Sequence, residues 1–118
     1  MNLTFADFDL PEKILDVLAD LELFEPTPIQ RRSFKPILSG RDVMGIAQTG
    51  TGKTLAYLLP ALKLWKYNKS GNPTLLILVP TRELVVQVTE IVENLTQNLS
   101  ARVIGIYGGK NINTQKKL

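Results

Sequence analysis

The sequence predicts an α/β domain in which a parallel sheet is flanked by helices. From residue 42 onward, three short apolar segments alternate with two helical patterns, an order typical of parallel strands joined by right-handed crossovers. A glycine-rich loop follows the first apolar segment and opens the next helix, which is the layout of a phosphate-binding loop. The hydrophobic share of 44% agrees with a folded globular domain.

The composition excludes several classes of protein. Cysteine and histidine are both absent from the 118 residues, which excludes disulfides, thiolate metal sites, histidine-based triads and the common zinc sites. No apolar run reaches the ~18 residues that a membrane span needs. The first residues also lack the pattern of a signal peptide. We therefore expect a cytoplasmic protein with no membrane partner.

Charge is distributed unevenly along the chain. Residues 1–25 carry a balance of −6, whereas residues 26–118 carry a balance of +9. The basic part favours an anionic partner such as phosphate or nucleic acid. A lysine-rich surface that is merely solvated would give the same balance, so both interpretations stay open on charge alone.

Each predicted element has its own sequence pattern. The strands are short runs rich in β-branched or large aliphatic residues, typical of parallel strands that are covered on both faces. They are predicted at residues 42–47, 74–79 and 102–107. The helices carry apolar residues at helical spacing. They are predicted at residues 11–23, 28–38, 53–67 and 82–99. Pro60 lies inside the third helix, where we expect a kink.

The chain divides into a helical N-terminal region, residues 1–38, and a partial α/β core, residues 39–118. Three parallel strands make a thin sheet with unpaired edges, and the last residues resemble the beginning of another helix. We therefore expect the front part of a larger domain, with a truncated sheet. Apolar surface left uncovered by that truncation predicts self-association.

A phosphate-binding loop is predicted between the first strand and the third helix. Its glycines allow successive backbone N–H groups to point at phosphate oxygens, and the helix N-terminus adds its positive end. Lys53 supplies a charge for the β- and γ-phosphates, and the Thr54 hydroxyl can ligate Mg²⁺. The alternative is an ordinary glycine-rich turn that starts a helix. The loop comprises Ala47, Gln48, Thr49, Gly50, Thr51, Gly52, Lys53 and Thr54.

The segment PTPIQ, residues 26–30, has two interpretations. In the structural one, Thr27 is a helix N-cap and the Gln30 side chain completes a capping box. In the functional one, the Gln30 amide pairs with the edge of adenine, which selects ATP over GTP. Phe5 likewise is either an exposed ring that stacks on a base or an anchor of the core.

Two further strand ends carry residues suited to nucleic acid. Pro80, Thr81 and Arg82 lie where the second strand meets the fourth helix. Thr81 makes a suitable N-cap, whereas the cation Arg82 in the first turn opposes the helix dipole and so indicates an anionic partner. Gly108 and Gly109 end the third strand and allow a close approach of the backbone. A capped helix and a simple turn are the alternatives.

The order of these motifs resembles the DEAD-box RNA helicases. The matching elements are an upstream Phe5, PTPIQ (the Q motif of that family), AQTGTGKT (motif I), PTREL (motif Ia) and a Gly-Gly pair. The resemblance implies a RecA-like fold that uses ATP with Mg²⁺. It implies that Phe5 stacks on adenine, that Gln30 reads its edge with Thr27 shaping the loop, and that residues 47–54 bind the phosphates. It also implies contact with the RNA backbone, independent of base sequence, at Pro80, Thr81, Arg82, Gly108 and Gly109.

The chain departs from the family pattern at two points. The family has Gly followed by an aromatic residue where this chain has Glu22 and Leu23, with Phe24 one step later. The Asp-Glu-Ala-Asp and Ser-Ala-Thr motifs of the family do not occur. The resemblance implies that Lys53 and Thr54 are catalytic residues of a parent ATPase and helicase. Because the two motifs are missing, we expect these 118 residues to bind ATP without hydrolysing it. The alternative is an autonomous, non-catalytic module that binds nucleotide or RNA.

Overall fold

The computed structural model describes residues 3–48, 52–66 and 72–108. A short 3-10 helix at Phe5–Phe8 precedes the α-helices of these ranges. The α-helices are α1 (Glu12–Asp20), α2 (Pro28–Leu38), α3 (Lys53–Leu64) and α4 (Arg82–Leu95). The starts of α2, α3 and α4 agree with the sequence prediction. Helices α1, α3 and α4 end earlier than predicted.

The three segments predicted as strands are not helical, and none is a hydrogen-bonded strand in the part of the chain that the structure describes. Exposure alternates between half-buried and exposed residues at 76–79 and 102–107, whereas residues 42–46 are all exposed. Met44 and Ile46 are each 87% exposed and Leu78 is 85% exposed. Pairing of these segments is therefore not observed among the described residues, and strands covered on both faces stay a prediction. An extended run becomes a strand only when neighbouring strands pair with its backbone groups, and apolar sequence alone does not provide them.

Packing divides the chain into two units, Met1–Leu75 and Leu76–Leu118. In the first unit α2 packs along α3. The most deeply buried side chains of this unit belong to α1 and α3, and they are Ile14, Leu18, Leu58, Leu59 and Pro60. Because α2 and α3 share one core, the predicted division at residue 38 does not coincide with a division in packing. The division into residues 1–38 and residues 39–118 stays a prediction from the sequence motifs.

An aromatic cluster holds the N-terminal turn against the helices of the first unit. The ring of Phe8 stacks on that of Phe34 with centroids 4.2 Å apart, and the Phe5 ring meets Phe8 edge-on at 5.8 Å. Lys63 of α3 donates to the carbonyl of Phe8 at 3.1 Å and lies 3.6 Å from the carboxylate of Asp9. The ammonium group also lies 5.8 Å from the centroid of Phe34. One lysine thus ties the turn to both α2 and α3.

The second unit is organised by the apolar face of α4. Val88, Val92 and Leu95 are buried along that face. The segment that follows the helix returns close to it, because a side chain at Gly105 would meet Thr89 and Val85 of α4. Helix α4 ends at Leu95, where the hydroxyl of the next residue, a buried threonine, donates to the carbonyl of Val92 at 2.7 Å. The same carbonyl also accepts from the N–H of that threonine at 2.9 Å, so both groups close the last turn.

Helices α1 and α2 end in the same hydrogen-bonded turn. In α2, Gly40 has φ +82° and donates to Ile37, while Arg41 donates to Pro36. In α1, Glu22 has φ +59° and donates to Ala19 at 2.9 Å, while the next residue donates to Leu18 at 2.8 Å. Both are Schellman motifs, which favour glycine at the left-handed position. The place where the family pattern has Gly is therefore occupied here by a residue in a left-handed conformation.

Glu22→Gly is expected to stabilise the chain by about 1 kcal/mol, because a side chain in the left-handed region is strained and glycine is not. Urea denaturation followed by circular dichroism measures the change. Gly40→Ala is the matched control, since it introduces the same strain at the end of α2, with no atom within 4 Å of the new methyl group. It should destabilise by about the same amount. An unchanged midpoint for Glu22→Gly would mean that the turn tolerates the side chain without strain.

Candidate nucleotide-binding site

The N-terminus of α3 provides the geometry that a phosphate group requires. Gly52 is the N-cap of this helix and has φ +85°, and Lys53 is its first residue and is exposed. Thr54 follows and is half-buried. The first N–H groups of a helix have no partner within it and carry its positive end. A cation and free backbone donors therefore lie together at this point.

The remaining residues of the predicted loop lie just before Gly52. Ala47 is half-buried, and Gln48 is exposed and engaged in a contact of its own. Thr49, Gly50 and Thr51 lie outside the described residues, so their predicted roles stay predictions.

Gln30 links the PTPIQ segment to the end of the phosphate loop. Its Oε1 accepts a hydrogen bond from the backbone N–H of Thr27 at 2.9 Å, which confirms the predicted capping interaction. Its Nε2 donates to the carbonyl of Gly52 at 3.1 Å, and that carbonyl also accepts from the N–H of Ala56. Gln30 is only 3% exposed. One buried amide therefore fixes the start of α2 and the start of α3 relative to each other.

Gly52 is required at this junction by the close approach of the PTPIQ segment. A methyl group built at Gly52 would overlap Nε2 of Gln30 and lie 3.1 Å from Oγ1 of Thr27. The same Oγ1 is buried, and within the described ranges it has no hydrogen-bond partner. The left-handed backbone of Gly52 adds a second reason, because other residues adopt that conformation with strain.

A cavity of about 200 Å³ lies beside this junction, between α2 and α3. Its lining is mostly apolar and consists of Ile29, Ser33, Ile37, Val43, Gly45, Lys53, Ala56 and Tyr57. A triphosphate needs charged and hydrogen-bonding groups rather than an aliphatic lining. The cavity lining therefore does not suit a triphosphate, and Lys53 is its one charged residue.

Phe5 lies in the core and not on the surface. The residue is 3% exposed, its ring meets Phe8, and its N–H donates to the carbonyl of Phe24 at 2.9 Å. Of the two interpretations that the sequence left open, the structure agrees with the core anchor, and stacking on adenine stays a prediction. Stacking of Phe5 on adenine would require the aromatic cluster to open.

The residues predicted to contact RNA lie in the second unit. Pro80, Thr81 and Arg82 are exposed, and Oγ1 of Thr81 accepts from the N–H of Leu84 at 3.2 Å. The predicted N-cap is thus present, and the Arg82 side chain remains open to solvent. Gly108 is exposed with open space around it. Gly109 lies outside the described residues.

The residues that the structure describes contain neither a candidate metal cluster nor a candidate membrane helix. No group of three or more acidic or histidine side chains there could hold a metal ion. No helix in the same ranges is long and apolar enough to cross a membrane. Thr54 therefore remains the one residue assigned to Mg²⁺ by the sequence.

Comparison with known proteins decides the family. The model of the DEAD/DEAH box helicase family matches residues 27–118. The chain belongs to this family. It is 46% identical over 109 residues to the ATP-dependent RNA helicase SrmB of Escherichia coli. It is 42% identical over 113 residues to the ATP-dependent RNA helicase DeaD of the same organism.

Solved structures of the family confirm the predicted RecA-like α/β class. A DEAD box protein from Methanococcus jannaschii superposes with a TM-score of 0.86 at 32% identity, covering 99% of this chain and 32% of that one. An ADP-bound RNA helicase from Chaetomium thermophilum gives 0.81 at 41% identity, covering 92% of this chain and 28% of that one. Among the curated relatives, the chain spans 24% of the length of SrmB and 18% of the length of DeaD. It thus corresponds to a minor part of each relative.

Proposed function

We propose that the chain binds ATP at the start of α3 and that it forms the front part of an ATP-dependent RNA helicase. The observation that carries this proposal is the bridge from the Gln30 amide to the carbonyl of Gly52, which joins the Q motif to the phosphate loop. The exposed Lys53 and the free N–H groups of the helix support it, because they provide charge and donors for phosphate oxygens. The similarity to SrmB and DeaD also supports it, because both relatives are described as ATP-dependent RNA helicases.

The proposed selection of adenine depends on the hydrogen-bonding groups of the Gln30 amide that have no partner among the residues that the structure describes. In the present contacts its Nε2 uses one of two N–H groups, and its Oε1 uses one of two lone pairs. The remaining donor and acceptor match the N7 and N6 pattern of adenine and not that of guanine. Because the side chain is 3% exposed, this pairing requires the base to enter beside Thr27 and uncover the amide.

ATP is expected to bind at least about tenfold more tightly than GTP, since one mismatched hydrogen-bond pair costs about 1.4 kcal/mol or more. Titration calorimetry with ATP, ADP and GTP measures the preference. Gln30→Ala should abolish it, because the variant loses both the donor to N7 and the acceptor from N6. Gln87→Ala, at an exposed position on α4, is the matched control and should keep the preference. Equal affinities for ATP and GTP in the unaltered chain would remove the adenine assignment and leave Gln30 a structural residue.

We further propose that Pro80, Thr81, Arg82, Gly108 and Gly109 contact the RNA backbone without reading base sequence. The open Arg82 side chain beside a helix N-terminus supports this contact, because both features attract a phosphate group. In the same proposal Mg²⁺ accompanies ATP and is held by the Thr54 hydroxyl and the phosphates. A cytoplasmic location stays a prediction of the sequence.

Self-association is also proposed, with a second copy of the chain as the partner. Leu76, Leu78 and Ile106 expose 78%, 85% and 61% of their surface in the second unit, and large exposed apolar side chains favour association. Light scattering is expected to show a dimer or larger species at high concentration. Leu78→Lys should shift the mass toward the monomer, whereas Leu64→Lys, at a 54% exposed position on α3, should not. A monodisperse monomer at every concentration would contradict the proposal.

A further inference from the structure

The solvent side of α2 carries only positive charge. Apart from Pro28, every exposed residue of this helix is a cation, and these are Arg31, Arg32 and Lys35. Because an α-helix turns by about 100° per residue, the three side chains fall within a sector of about 100° around the helix axis. We refer to these three residues as the α2 basic face.

No negative charge of the described residues pairs with this face. The sequence has no acidic residue between Glu25 and Asp42. None of the three cations forms an ion pair with a residue that the structure describes. The α2 basic face is therefore able to meet an anion that comes from outside the chain.

The stability of the helix does not explain this arrangement. Lys35 lies in the last turn, where a cation interacts favourably with the helix dipole. Arg31 and Arg32 lie in the first half of α2, where the dipole gives no such gain. Arg31 and Lys35 are also four residues apart, so their like charges repel each other on neighbouring turns. An anion bound at this face would offset that repulsion.

The composition of the surface favours a phosphate backbone over a protein partner. Protein interfaces are centred on apolar and aromatic anchors. Helix α2 offers none of these to solvent, because its apolar side chains are half-buried or buried. Nucleic-acid interfaces are instead polar and strongly positive, and most of their hydrogen bonds go to phosphate and sugar. Two adjacent arginines suit such contacts, since a guanidinium group donates two parallel hydrogen bonds to a phosphate.

We propose that the α2 basic face binds the phosphate backbone of RNA without reading base sequence. Because RNA is the partner, this site rests on the proposed function. It is nevertheless a separate site, since α2 belongs to the first unit, whereas Thr81, Arg82 and Gly108 belong to the second.

The proposal can be tested by fluorescence anisotropy with fluorescein-labelled poly(U) at several salt concentrations. Arg31→Gln combined with Arg32→Gln should weaken binding by at least about tenfold at low salt, because two charge-assisted contacts are lost. The slope of log affinity against log salt should flatten by about 1.4, the value for two phosphate contacts on a single strand. Poly(A) should show the same losses. Arg31→Gln alone, a second variant in case the combined one misfolds, should flatten the slope by about half as much.

A matched control removes the same charge elsewhere in the first unit. Lys13→Gln combined with Lys66→Gln changes two exposed cations and should leave the salt slope unchanged, since distant surface charges are screened. Equal losses for the two combined variants would overturn the proposal, because net charge alone would then explain binding. It would also be overturned if the arginine variant lost binding of a labelled poly(Glu) peptide but not of poly(U), which would assign the face to an acidic protein segment.

Arg82→Gln separates this site from the RNA contact proposed in the second unit. If Arg82→Gln weakens poly(U) binding and the combined arginine variant of α2 does not, the α2 basic face is not an RNA site and the contact in the second unit stands. If only the α2 variant weakens binding, the α2 basic face stands and the contact at Arg82 is contradicted.

Discussion

Gly52→Ala is expected to destabilise the chain by about 2–3 kcal/mol, a large fraction of the stability of a small domain. Part of this loss comes from forcing a side chain into the left-handed conformation of the α3 N-cap. The rest comes from the overlap of the new methyl group with the Gln30 amide, which breaks the bond from Nε2 to the Gly52 carbonyl. Urea denaturation followed by circular dichroism measures the total.

Two comparisons separate these causes. Gly40→Ala introduces a side chain at nearly the same φ, +82°, but into open space, and should cost only about 1 kcal/mol. In a double-mutant cycle, Gln30→Ser should make Gly52→Ala less harmful, because the overlapping amide is gone. If Gly52→Ala and Gly40→Ala cost the same, the Gln30 contact contributes nothing and the junction does not depend on it.

Helix starts could be predicted from the sequence because they depend on local chemistry. Thr81 caps α4 through its own hydroxyl, and a proline in the first turn follows Thr27 at the start of α2. Helix ends depend on a residue adopting a left-handed conformation, and the sequence marks this only when that residue is glycine. Helix α1 was predicted to continue to residue 23 because Glu22 does not look like a terminator.

The strands could be predicted only as extended apolar runs. Whether such a run pairs depends on neighbours that a local pattern does not specify. Residues 76–79 and 102–107 alternate in exposure as an extended chain requires, but no ladder forms among the described residues. The comparisons with solved family members, rather than strand pairing, confirm the fold class.

The residues of the candidate site were predicted from the sequence, but the hydrogen bond that joins Gln30 to Gly52 was not. Spacing and motif order pointed to Gln30 and to the loop that ends at Gly52, yet the bond between them joins residues far apart in sequence. The sequence left Phe5 open between an exposed ring and a core anchor, because its burial depends on Phe8 and Phe34, which carry no motif. Lys63 was overlooked for the same reason. A single cation on an apolar helix gives no sign that it holds the N-terminal turn.

Lys53→Ala is expected to weaken ATP binding by at least about tenfold, because a charge-assisted hydrogen bond to phosphate contributes about 1.5–3 kcal/mol. The side chain is exposed at the start of α3, so its loss should leave the core intact. Lys35→Ala removes another exposed lysine, on α2, and should leave ATP affinity unchanged. Titration calorimetry on both variants gives the comparison, and equal affinities would place the phosphates elsewhere.

We predict that these 118 residues bind ATP without hydrolysing it. Among the described residues no acidic cluster could hold a metal ion. The sequence lacks the family's Asp-Glu-Ala-Asp motif. An arginine finger supplied by another domain is worth about 10³–10⁵ in rate.

The most direct test measures bound ATP and released phosphate in one sample, with and without RNA, for the unaltered chain and for Lys53→Ala. We expect the unaltered chain to retain ATP and to release phosphate no faster than Lys53→Ala under either condition. Steady, RNA-stimulated release that Lys53→Ala abolishes would contradict the claim.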